Sequence, residues 1–476
     1  MAKWTLQKIS DWTDGNILST HHQEFSEMGT DTRENLNGKV FIALKGDSYD
    51  AHQFLDQAVQ QGASALLVHE LPERFQYLKE KVSIVVVKDT LLALQNWAQA
   101  YRQTLKTQII GITGSNGKTT TKEFTAQILS TFKKVHFNQG SFNNHWGVPI
   151  TLLQIPQDVD FAVIEMGMNH PQEITRLVQI ADPNIVVCTM VGRAHIEFFG
   201  TIELIAKAKS EIYLETKPET IRIFNQDQEL TFDMMYPVAR KFPDSRMLSF
   251  SEKNNEADVY FKVLESSFRG LKISGLIAGE PSDQAGVIVP VFGAHNVVNL
   301  MAAATIAYAC RMPPEKIWKA LSSCHTAWGR NQIIQTEIGA HLLFDGYNAN
   351  PDSMKALLEN MKLFKNQTSQ IGVFGQMKEL GSFAEEAHQA LGQQVASIGF
   401  EQVYFIGENY LSFQQGLKQG GFQGESFIQA EFSGAMGEHL ATHIKKDAVV
   451  VIKGSRGAAT ERFVEYCKPI GWQKKK

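Results

Sequence analysis

A chain of 476 residues is too long for one hydrophobic core and predicts about three domains. Its 43% hydrophobic and 20% charged residues are typical of a soluble globular protein, and a net charge of −4 gives no electrostatic reason to expect nucleic acid as the main partner. Four cysteines without a Cys-x-x-Cys pair argue against a disulfide framework or a cysteine zinc site. Because no apolar signal region follows Met1 and no apolar run approaches the ~18–20 residues of a membrane span, we expect a cytoplasmic protein.

Residues 1–104 are predicted to form a small α/β domain. Runs of β-branched and other apolar residues indicate buried strands, and apolar residues at helical spacing indicate helices. The predicted elements are a strand at 39–44, a helix at 54–61, strands at 65–68 and 83–87, and a helix at 91–101. The polar segment 102–108 marks the first predicted domain boundary.

The stretch 111–121, which follows an apolar strand at 108–110, is typical of a phosphate-binding loop. Apolar residues recur at helical spacing from Lys122 to Phe132, so the glycines lie between a strand and a helix N-terminus. Backbone N–H groups there face an anion, and the helix dipole favours negative charge. Lys118 is expected to reach the β- and γ-phosphates of a nucleotide, and Thr119 to contact Mg²⁺. The predicted nucleotide-binding residues of the loop are Gly114, Ser115, Asn116, Gly117, Lys118, Thr119 and Thr120.

Residues 105–327 are predicted to form a central domain built on a parallel, doubly wound sheet. Its predicted elements are strands at 161–165, 185–189 and 221–225, a small antiparallel excursion at 256–292, and a helix at 295–308. Ligands of such sheets bind at the carboxyl ends of the strands. The phosphate-binding loop is predicted at that edge.

Several polar side chains near this edge are candidates for the site. Glu165 ends a strand where a carboxylate can meet nucleotide-bound Mg²⁺. His195 follows the next strand, and its position leaves a site role and an ordinary surface role equally open. The spacing around Lys209 does not separate a functional lysine from one on an exposed helix face. Asn296 and Asn299 share one helical turn, for which a helix cap is the simpler interpretation.

In residues 328–476 predicted strands again alternate with helical stretches, which indicates a third α/β domain. Its predicted strands lie at 342–345, 370–374, 402–406 and 448–452. A dense polar cluster at 345–351 follows one strand and suits ligand contact. The last strand is followed by Lys453, Ser455 and Arg456. Basic side chains and small residues at a strand end are suited to binding an anion.

Three segments together resemble the Mur ligases, the ATP-dependent enzymes that build the peptide of bacterial cell-wall precursors. They are residues 111–120, with the glycine spacing that this family uses, 293–299 and 347–354. The resemblance covers nearly the whole chain. It implies an α/β fold of three domains, with a central P-loop ATPase-like parallel sheet between an N-terminal UDP-sugar-binding domain and a C-terminal Rossmann-like domain.

The resemblance also implies an activity. Segment 347–354 is similar to that of family members that ligate D-alanyl-D-alanine to UDP-N-acetylmuramoyl-tripeptide through an acyl phosphate, in peptidoglycan precursor synthesis. The implied products are UDP-N-acetylmuramoyl-pentapeptide, ADP and phosphate. ATP, two Mg²⁺ ions and a carbamoylated Lys209 are implied, and we expect a monomer.

The resemblance assigns roles residue by residue. Lys118, Lys209, His195 and Arg330 are implied to be catalytic. Asp31, Thr32 and Arg33 match residues that hold the UDP-sugar, and Asn143 and Asn144 match a pair near the reacting end of the substrate. Thr119, Glu165, His195 and Lys209 are implied around the metal, and Asn296, Asn299, Arg330 and Asp345 around the nucleotide. Tyr347, Asn348, Asn350, Lys453, Ser455 and Arg456 are implied to contact substrate.

Three positions depart from the family pattern. Ala51 replaces a glycine, Gly346 replaces an aspartate or serine, and Gln376 replaces a common aspartate. Three alternative functions remain open from the sequence. They are another ligase of the same superfamily, such as an earlier Mur ligase or a folylpolyglutamate synthase; a P-loop ATPase that drives movement or assembly; and a catalytically silent nucleotide-binding module.

Overall fold

The computed structural model describes residues 3–46, 49–138, 140–365 and 367–473, and three large β-sheets organise it. The predicted α/β architecture with parallel sheets is confirmed. The sheets lie within residues 16–86, 108–289 and 332–453, one in each predicted domain. The exact boundaries at 104/105 and 327/328 stay predictions.

The first sheet has five strands in the order β2-β7-β6-β5-β4, and only β2 runs antiparallel to its neighbour. The strands of this domain are β1 (Trp4–Thr5), β2 (Asn16–Ser19), β3 (Glu24–Phe25), β4 (Met28–Gly29), β5 (Val40–Ile42), β6 (Ala65–Val68) and β7 (Ser83–Val86). Its α-helices are α1 (Leu6–Thr13), α2 (Leu55–Gln60) and α3 (Thr90–Thr104).

The central sheet runs parallel from its edge strand β9 to β14 and continues into an antiparallel hairpin. Its strands are β8 (Gln108–Thr113), β9 (Val135–Phe137), β10 (Phe161–Glu165), β11 (Ile185–Cys188), β12 (Ile221–Asn225), β13 (Met247–Ser251), β14 (Val259–Ser267), β15 (Gly270–Ile277), β16 (Glu280–Pro281) and β17 (Val287–Val289). The order is β16-β15-β14-β13-β12-β11-β8-β10-β9, with β17 on β15. Loop-bearing β8 is therefore flanked by the strands that end at Glu165 and Cys188.

Helices cover both faces of the central sheet. They are α4 (Lys118–Ser130), α5 (Gly147–Gln154), α6 (Glu173–Ala181), α7 (Ile196–Phe199), α8 (Ile202–Leu214), α9 (Glu229–Phe232), α10 (Met235–Lys241), α11 (Asn296–Ala309) and α12 (Pro314–Leu321). Helix α4 begins four residues earlier than its apolar periodicity predicts. Its first turn is Lys-Thr-Thr-Thr, which carries no apolar signal although Thr119, Thr120 and Thr121 are buried beneath the loop.

The third sheet has the order β18-β19-β23-β20-β21-β22, and only β18 is antiparallel to its neighbour. The strands are β18 (Gln332–Gln335), β19 (His341–Asp345), β20 (Gln370–Gly375), β21 (Gln402–Ile406), β22 (Glu425–Gln429) and β23 (Val449–Lys453). The helices are α13 (Pro351–Lys362), α14 (Ala384–Ile398), α15 (Tyr410–Gln419) and α16 (Gly434–His443). Buried on both faces, β20, β21 and β23 read as continuous apolar runs.

The first two domains share one hydrophobic core. Trp97 and Tyr101 of α3 belong to the same buried cluster as Leu152 of α5 and Leu177 of α6. Arg102, within the polar segment predicted as a domain boundary, is buried and donates to Ala181 O at 2.9 Å. The boundary is therefore a packed interface rather than an exposed linker. Within the described ranges, no helix has the length and apolar character needed to cross a membrane.

Candidate active site

The carboxyl ends of the second and third sheets meet across a cleft of about 470 Å³. The strand ends Glu165, Asp345 and Lys453 all border it. Most of the residues predicted for the site line this cleft. They are Ser115, Asn116, Gly117, Lys118, Thr119, Thr120, Asn143, Glu165, His195, Asn296, Asn299, Arg330, Asp345, Tyr347, Asn348, Asn350 and Lys453.

Two glycines give the phosphate-binding loop its shape. Gly117 precedes α4 with φ +82°, and a Cβ there would lie 2.2 Å from Asn299 Oδ1. Gly114 has φ +147°, and a Cβ there would lie 2.0 Å from Thr189 Oγ1. Glycine therefore supplies both the backbone conformation and the close approach of α11 and β11 to the loop.

Asn296 and Asn299 brace the loop and do not cap α11, so the helix-cap interpretation is wrong. Asn299 Nδ2 donates to Asn296 Oδ1 at 3.0 Å, and Asn296 Nδ2 donates to Phe292 O at 2.7 Å. Thr121 Oγ1 donates to Asn299 Oδ1 at 3.3 Å. Both asparagines also border the cleft beside Gly117.

Substituting Gly117→Ala is expected to weaken ATP binding by at least ~10-fold, or about 1.4 kcal/mol. The added methyl group would collide with Asn299 and would hold alanine in a left-handed conformation. Isothermal titration with a non-hydrolysable ATP analogue measures the change. Gly38→Ala is the matched control, because Gly38 has φ +74° with open space around it. Equal affinity in the Gly117→Ala variant and the wild type would contradict this role of the loop.

Lys118 is half-buried at the start of α4. Its Nζ donates to Gly114 O at 2.7 Å and lies 3.5 Å from Ser115 O. Burial lowers the pKa of Lys118, an effect that the nearby Glu165 opposes and Arg330 reinforces. The amine thus lies against the carbonyl groups of the loop where it is predicted to bind phosphate.

Oxygen ligands suited to Mg²⁺ lie beside Lys118. Thr119 Oγ1 donates to Glu165 Oε2 at 2.9 Å, and Asn143 Nδ2 donates to Glu165 Oε1 at 2.7 Å. Glu165 is buried. A buried carboxylate that receives only neutral donors, beside a threonine hydroxyl, is the chemistry expected of a Mg²⁺ site.

His195 contacts a residue of the third domain that the sequence did not single out. Its Nδ1 lies 2.7 Å from Glu379 Oε2. The contact with His195 lowers the pKa of Glu379, against the opposing effect of burial. His195 (φ +65°) and Glu379 (φ +61°) are both left-handed, a costly conformation that concentrates at functional sites. Glu379 escaped detection because its partner is 184 positions away in the chain.

Lys209 is buried on α8, although it does not line the cleft itself. Burial, reinforced by the charge of Lys118, lowers the pKa of Lys209 to about 7. Its amine makes no hydrogen bond within the described residues. At neutral pH a large fraction of such an amine is uncharged and nucleophilic.

The third domain reaches the loop through two side chains. Arg330 Nη2 donates to Thr119 Oγ1 at 3.2 Å, and its guanidinium lies 4.2 Å from the centre of the Tyr347 ring. Arg330 Nε is buried without a partner in the described part of the chain. Asn350 Nδ2 donates to Asn116 Oδ1 at 2.8 Å while its Oδ1 caps α13 at Ser353 N. The two domains are therefore closed around the cleft.

His295 lies at the same interface, where the sequence indicated only a helix start. Asn360 Nδ2 donates to His295 Nδ1 at 3.0 Å, and the Asn331 amide lies 3.1 Å from Nε2. Burial lowers the pKa of His295 to about 4, although Asp345 partly opposes it. The ring is therefore neutral and packed between α11 and the third domain.

Acid is expected to weaken this interface. The pKa of His295 is about 4 in the folded protein and 6.5 when unperturbed, so the unfolded chain holds more protons between these values. The free energy of unfolding should therefore fall as the pH drops from 6.5 to 4, by about 3 kcal/mol from this residue. Urea unfolding of wild type and His295→Gln across this range should show a shallower decline in the variant. His22→Gln, at an exposed position, is the control; an identical pH dependence in His295→Gln and wild type would contradict the assignment.

The three departures from the family pattern have local explanations. Ala51 occupies the right-handed turn Ala51–Phe54, where no glycine is required. A Cβ at Gly346 would lie 2.4 Å from the Phe344 ring, which occupies that space. Gln376 Oε1 accepts from Glu408 N at 2.8 Å and joins two loops of the third domain.

Eight predicted residues lie outside the lining of the cleft. Arg33 pairs with Asp31 on the first domain, with Nη2 2.6 Å from Oδ2, and Thr32 between them is buried. Asn144 Oδ1 accepts from Gly147 N at the start of α5. Arg456 pairs with Glu461 at 2.8 Å. The eight are Asp31, Thr32, Arg33, Gly114, Asn144, Lys209, Ser455 and Arg456.

The fold and the site define a P-loop protein of three α/β domains whose third domain closes on the nucleotide-binding loop. Residues 112–307 match the Mur ligase middle domain, and residues 329–456 match the Mur ligase, glutamate ligase domain. The chain is 31% identical to the UDP-N-acetylmuramoyl-tripeptide–D-alanyl-D-alanine ligase of Escherichia coli, over 99% of this chain and 100% of that protein. The chain belongs to the Mur ligase family.

Solved structures agree with this assignment. MurF from Acinetobacter baumannii is similar with a TM-score of 0.84 and 29% identity, covering 97% of this chain and 98% of that one. MurF from Thermotoga maritima, solved in complex with ADP, is similar with a TM-score of 0.78 and 25% identity, covering 93% and 97%. The predicted family is thereby confirmed.

Proposed function

We propose that this protein ligates D-alanyl-D-alanine to UDP-N-acetylmuramoyl-tripeptide at the expense of ATP, in peptidoglycan precursor synthesis. The protein is a Mur-type ligase, and the products are UDP-N-acetylmuramoyl-pentapeptide, ADP and phosphate. The observation that carries the proposal is the contact of Arg330, from the third domain, with Thr119 of the phosphate-binding loop. Closure of a second domain over the loop suits a reaction with an acyl-phosphate intermediate, which must be kept from water.

ATP binds in the cleft. In the proposed arrangement its phosphates lie on the loop, with Lys118 turning from Gly114 O towards them and Arg330 supplying a second positive charge. Arg330 Nε, which is buried without a partner in the described chain, supports an anionic neighbour. Asn296 and Asn299 are proposed to contact the adenine side.

Mg²⁺ is proposed to be held by Thr119 and Glu165, and a second ion by Glu165 and His195. The donor set supports this, since hydroxyl and carboxylate oxygens are the ligands that Mg²⁺ prefers. Bound Mg²⁺ would neutralise phosphate charge as it develops. Asn143 orients Glu165 by donating to its second oxygen.

Lys209 is proposed to be carbamoylated. Carbamoylation needs an uncharged amine, and the lowered pKa of Lys209, about 7, supplies one. It would also replace a cation that repels Lys118 with an anion that attracts it. The resulting carboxylate-like group would support the second metal ion.

The chemistry follows from bringing two anions together. A carboxylate oxygen at the end of the tripeptide attacks the γ-phosphorus of ATP, and ADP leaves. The amine of D-alanyl-D-alanine then attacks the carbonyl carbon of the acyl phosphate, loses a proton, and phosphate leaves with the former carboxylate oxygen. Lys118 and Arg330 balance the negative charge in the first step. Closure of the third domain excludes water from the acyl phosphate.

The remaining predicted roles concern the two substrates. Asp31, Thr32 and Arg33 are proposed to hold the UDP-sugar on the first domain, and Asn143 and Asn144 its reacting end. Tyr347, Asn348, Asn350, Lys453, Ser455 and Arg456 are proposed for the third-domain side of the substrate site, with Asp345 held by Lys453 beside the nucleotide. Domain divisions at 104/105 and 327/328, a monomeric state and a cytoplasmic location stay predictions; four buried free cysteines are compatible with a reducing compartment.

Phosphate release tests the proposal. The protein is incubated with ATP and Mg²⁺, with UDP-N-acetylmuramoyl-tripeptide and D-alanyl-D-alanine supplied singly and together. Release that needs both substrates is the expected result. Release indifferent to both would favour the alternative of an ATPase that drives movement or assembly, and release with glutamate or another single amino acid would favour a different ligase of the superfamily.

A further inference from the structure

Three metal-ligating side chains converge on the third domain, away from the cleft. Glu425 begins the edge strand β22, and His439 and His443 lie one turn apart on α16. One ligand atom from each lies within 4.8 Å of those of the other two. Glu425 pairs in register with Gln402 at the amino ends of β22 and β21, whereas the active-site cleft borders the carboxyl ends of the parallel strands β19 and β23. The cluster therefore lies at the end of the sheet that faces away from the active-site cleft.

Neighbouring groups orient all three side chains. His443 Nδ1 donates to His439 O at 2.8 Å. The Tyr404 hydroxyl lies 3.1 Å from Gln402 Oε1 and 2.8 Å from His439 Nδ1. Gln402 Nε2 in turn donates to Glu425 Oε2 at 3.1 Å. His443 consequently carries its proton on Nδ1 and keeps the lone pair of Nε2 available.

The two rings are held as a pair. The His439 and His443 ring centres are 4.1 Å apart with an interplanar angle of 17°, and Phe427 packs 4.0 Å from His439. Neither Nε2 atom has a hydrogen-bond partner in the described part of the chain. Such support through the second ring nitrogen is what orients histidines that bind metals.

We propose that Glu425, His439 and His443 bind one divalent transition-metal ion, for which Zn²⁺ is the best match. Imidazole nitrogens four residues apart on a helix with one carboxylate oxygen are a ligand set that zinc accepts, with water in the fourth position. Tetrahedral ligands with bonds of about 2.1 Å lie about 3.4 Å apart, so the two stacked rings must turn towards a common point when the ion binds. The ion would join edge strand β22 to α16.

Zinc titration of the full-length protein against a chromogenic chelator tests the site. We expect one zinc equivalent to bind wild type at least ~10-fold more tightly than Glu425→Gln or His443→Gln. Glu438→Gln, an exposed residue of the same helix, is the matched control and should bind like wild type. Any zinc held by Glu165 and His195 in the cleft would be common to all four proteins. Equal zinc affinity in all four would overturn the proposal.

Hydrogen–deuterium exchange locates the ion independently. Zinc should slow amide exchange in residues 425–429 and 434–443 of wild type and not of Glu425→Gln. Because Glu425 is exposed, this variant is expected to fold normally, which circular dichroism checks. Zinc that leaves both segments unprotected in wild type would contradict the proposal even if zinc binds elsewhere.

Discussion

Replacing Lys118 by alanine is expected to lower kcat by about 10³-fold or more while the protein stays folded. Lys118 is proposed to offset the charge that develops when a carboxylate attacks the γ-phosphate, and removing one such preorganised group typically costs 10²–10³-fold or more. The fold should tolerate the change, because the side chain is a half-buried cation whose pKa is lowered by desolvation. Phosphate release with both substrates measures kcat, and thermal unfolding checks the fold.

The control for this experiment is Lys133→Ala. Lys133 lies on the surface just beyond α4, 3.9 Å from Asp160, and its loss should leave kcat unchanged. A near-normal rate in Lys118→Ala would remove Lys118 from phosphate binding and with it the proposed use of the loop.

Replacing Lys209 by alanine is expected to lower kcat by at least ~10²-fold, and added acetate or formate should restore part of it. The reason is that a small carboxylate can occupy the space of the missing carbamate and offer the same charge. The lysine is buried beside Lys118, so the cavity left by alanine is next to the phosphate-binding loop. The measurement is kcat as a function of carboxylate concentration.

Lys207→Ala is the matched control, because Lys207 lies on the same helix and is exposed. It should keep its full rate and show no response to acetate. Normal turnover of Lys209→Ala without any carboxylate would exclude the carbamate from the mechanism.

The phosphate-binding loop and its strands were predictable from the sequence because their causes are local. Strand β10 is buried at every position, so its apolar run is unbroken, and the glycines of the loop are fixed by positive φ and close contacts. The structure explains why the apolar run and the glycines are strong sequence patterns. A side chain at Gly114 or Gly117 would collide with Thr189 or Asn299.

Features that depend on distant residues were not predictable. The contact of His195 with Glu379 and the packing of His295 between Asn331 and Asn360 each join two domains. The length of the β14–β15 hairpin, predicted only as short strands, is set by pairing that continues the main sheet. The polar segment that includes Arg102 indicated only a domain boundary, because composition does not reveal that a guanidinium can be buried against carbonyl groups.

The closed arrangement connects the predicted residues to one activity. Arg330 and Asn350 reach the loop from the third domain, and His195 reaches back to Glu379. Each contact crosses the cleft in a different place. Domain closure would therefore assemble the charge-balancing groups and exclude water at the same time.

Isotope transfer tests the central claim most directly. UDP-N-acetylmuramoyl-tripeptide labelled with ¹⁸O in its terminal carboxylate is incubated with ATP, Mg²⁺, D-alanyl-D-alanine and the protein, and the products are analysed by mass spectrometry. The account predicts a product extended by one dipeptide and one ¹⁸O atom in the released phosphate. Phosphate without the label, or release without the extended product, would contradict an acyl-phosphate ligase.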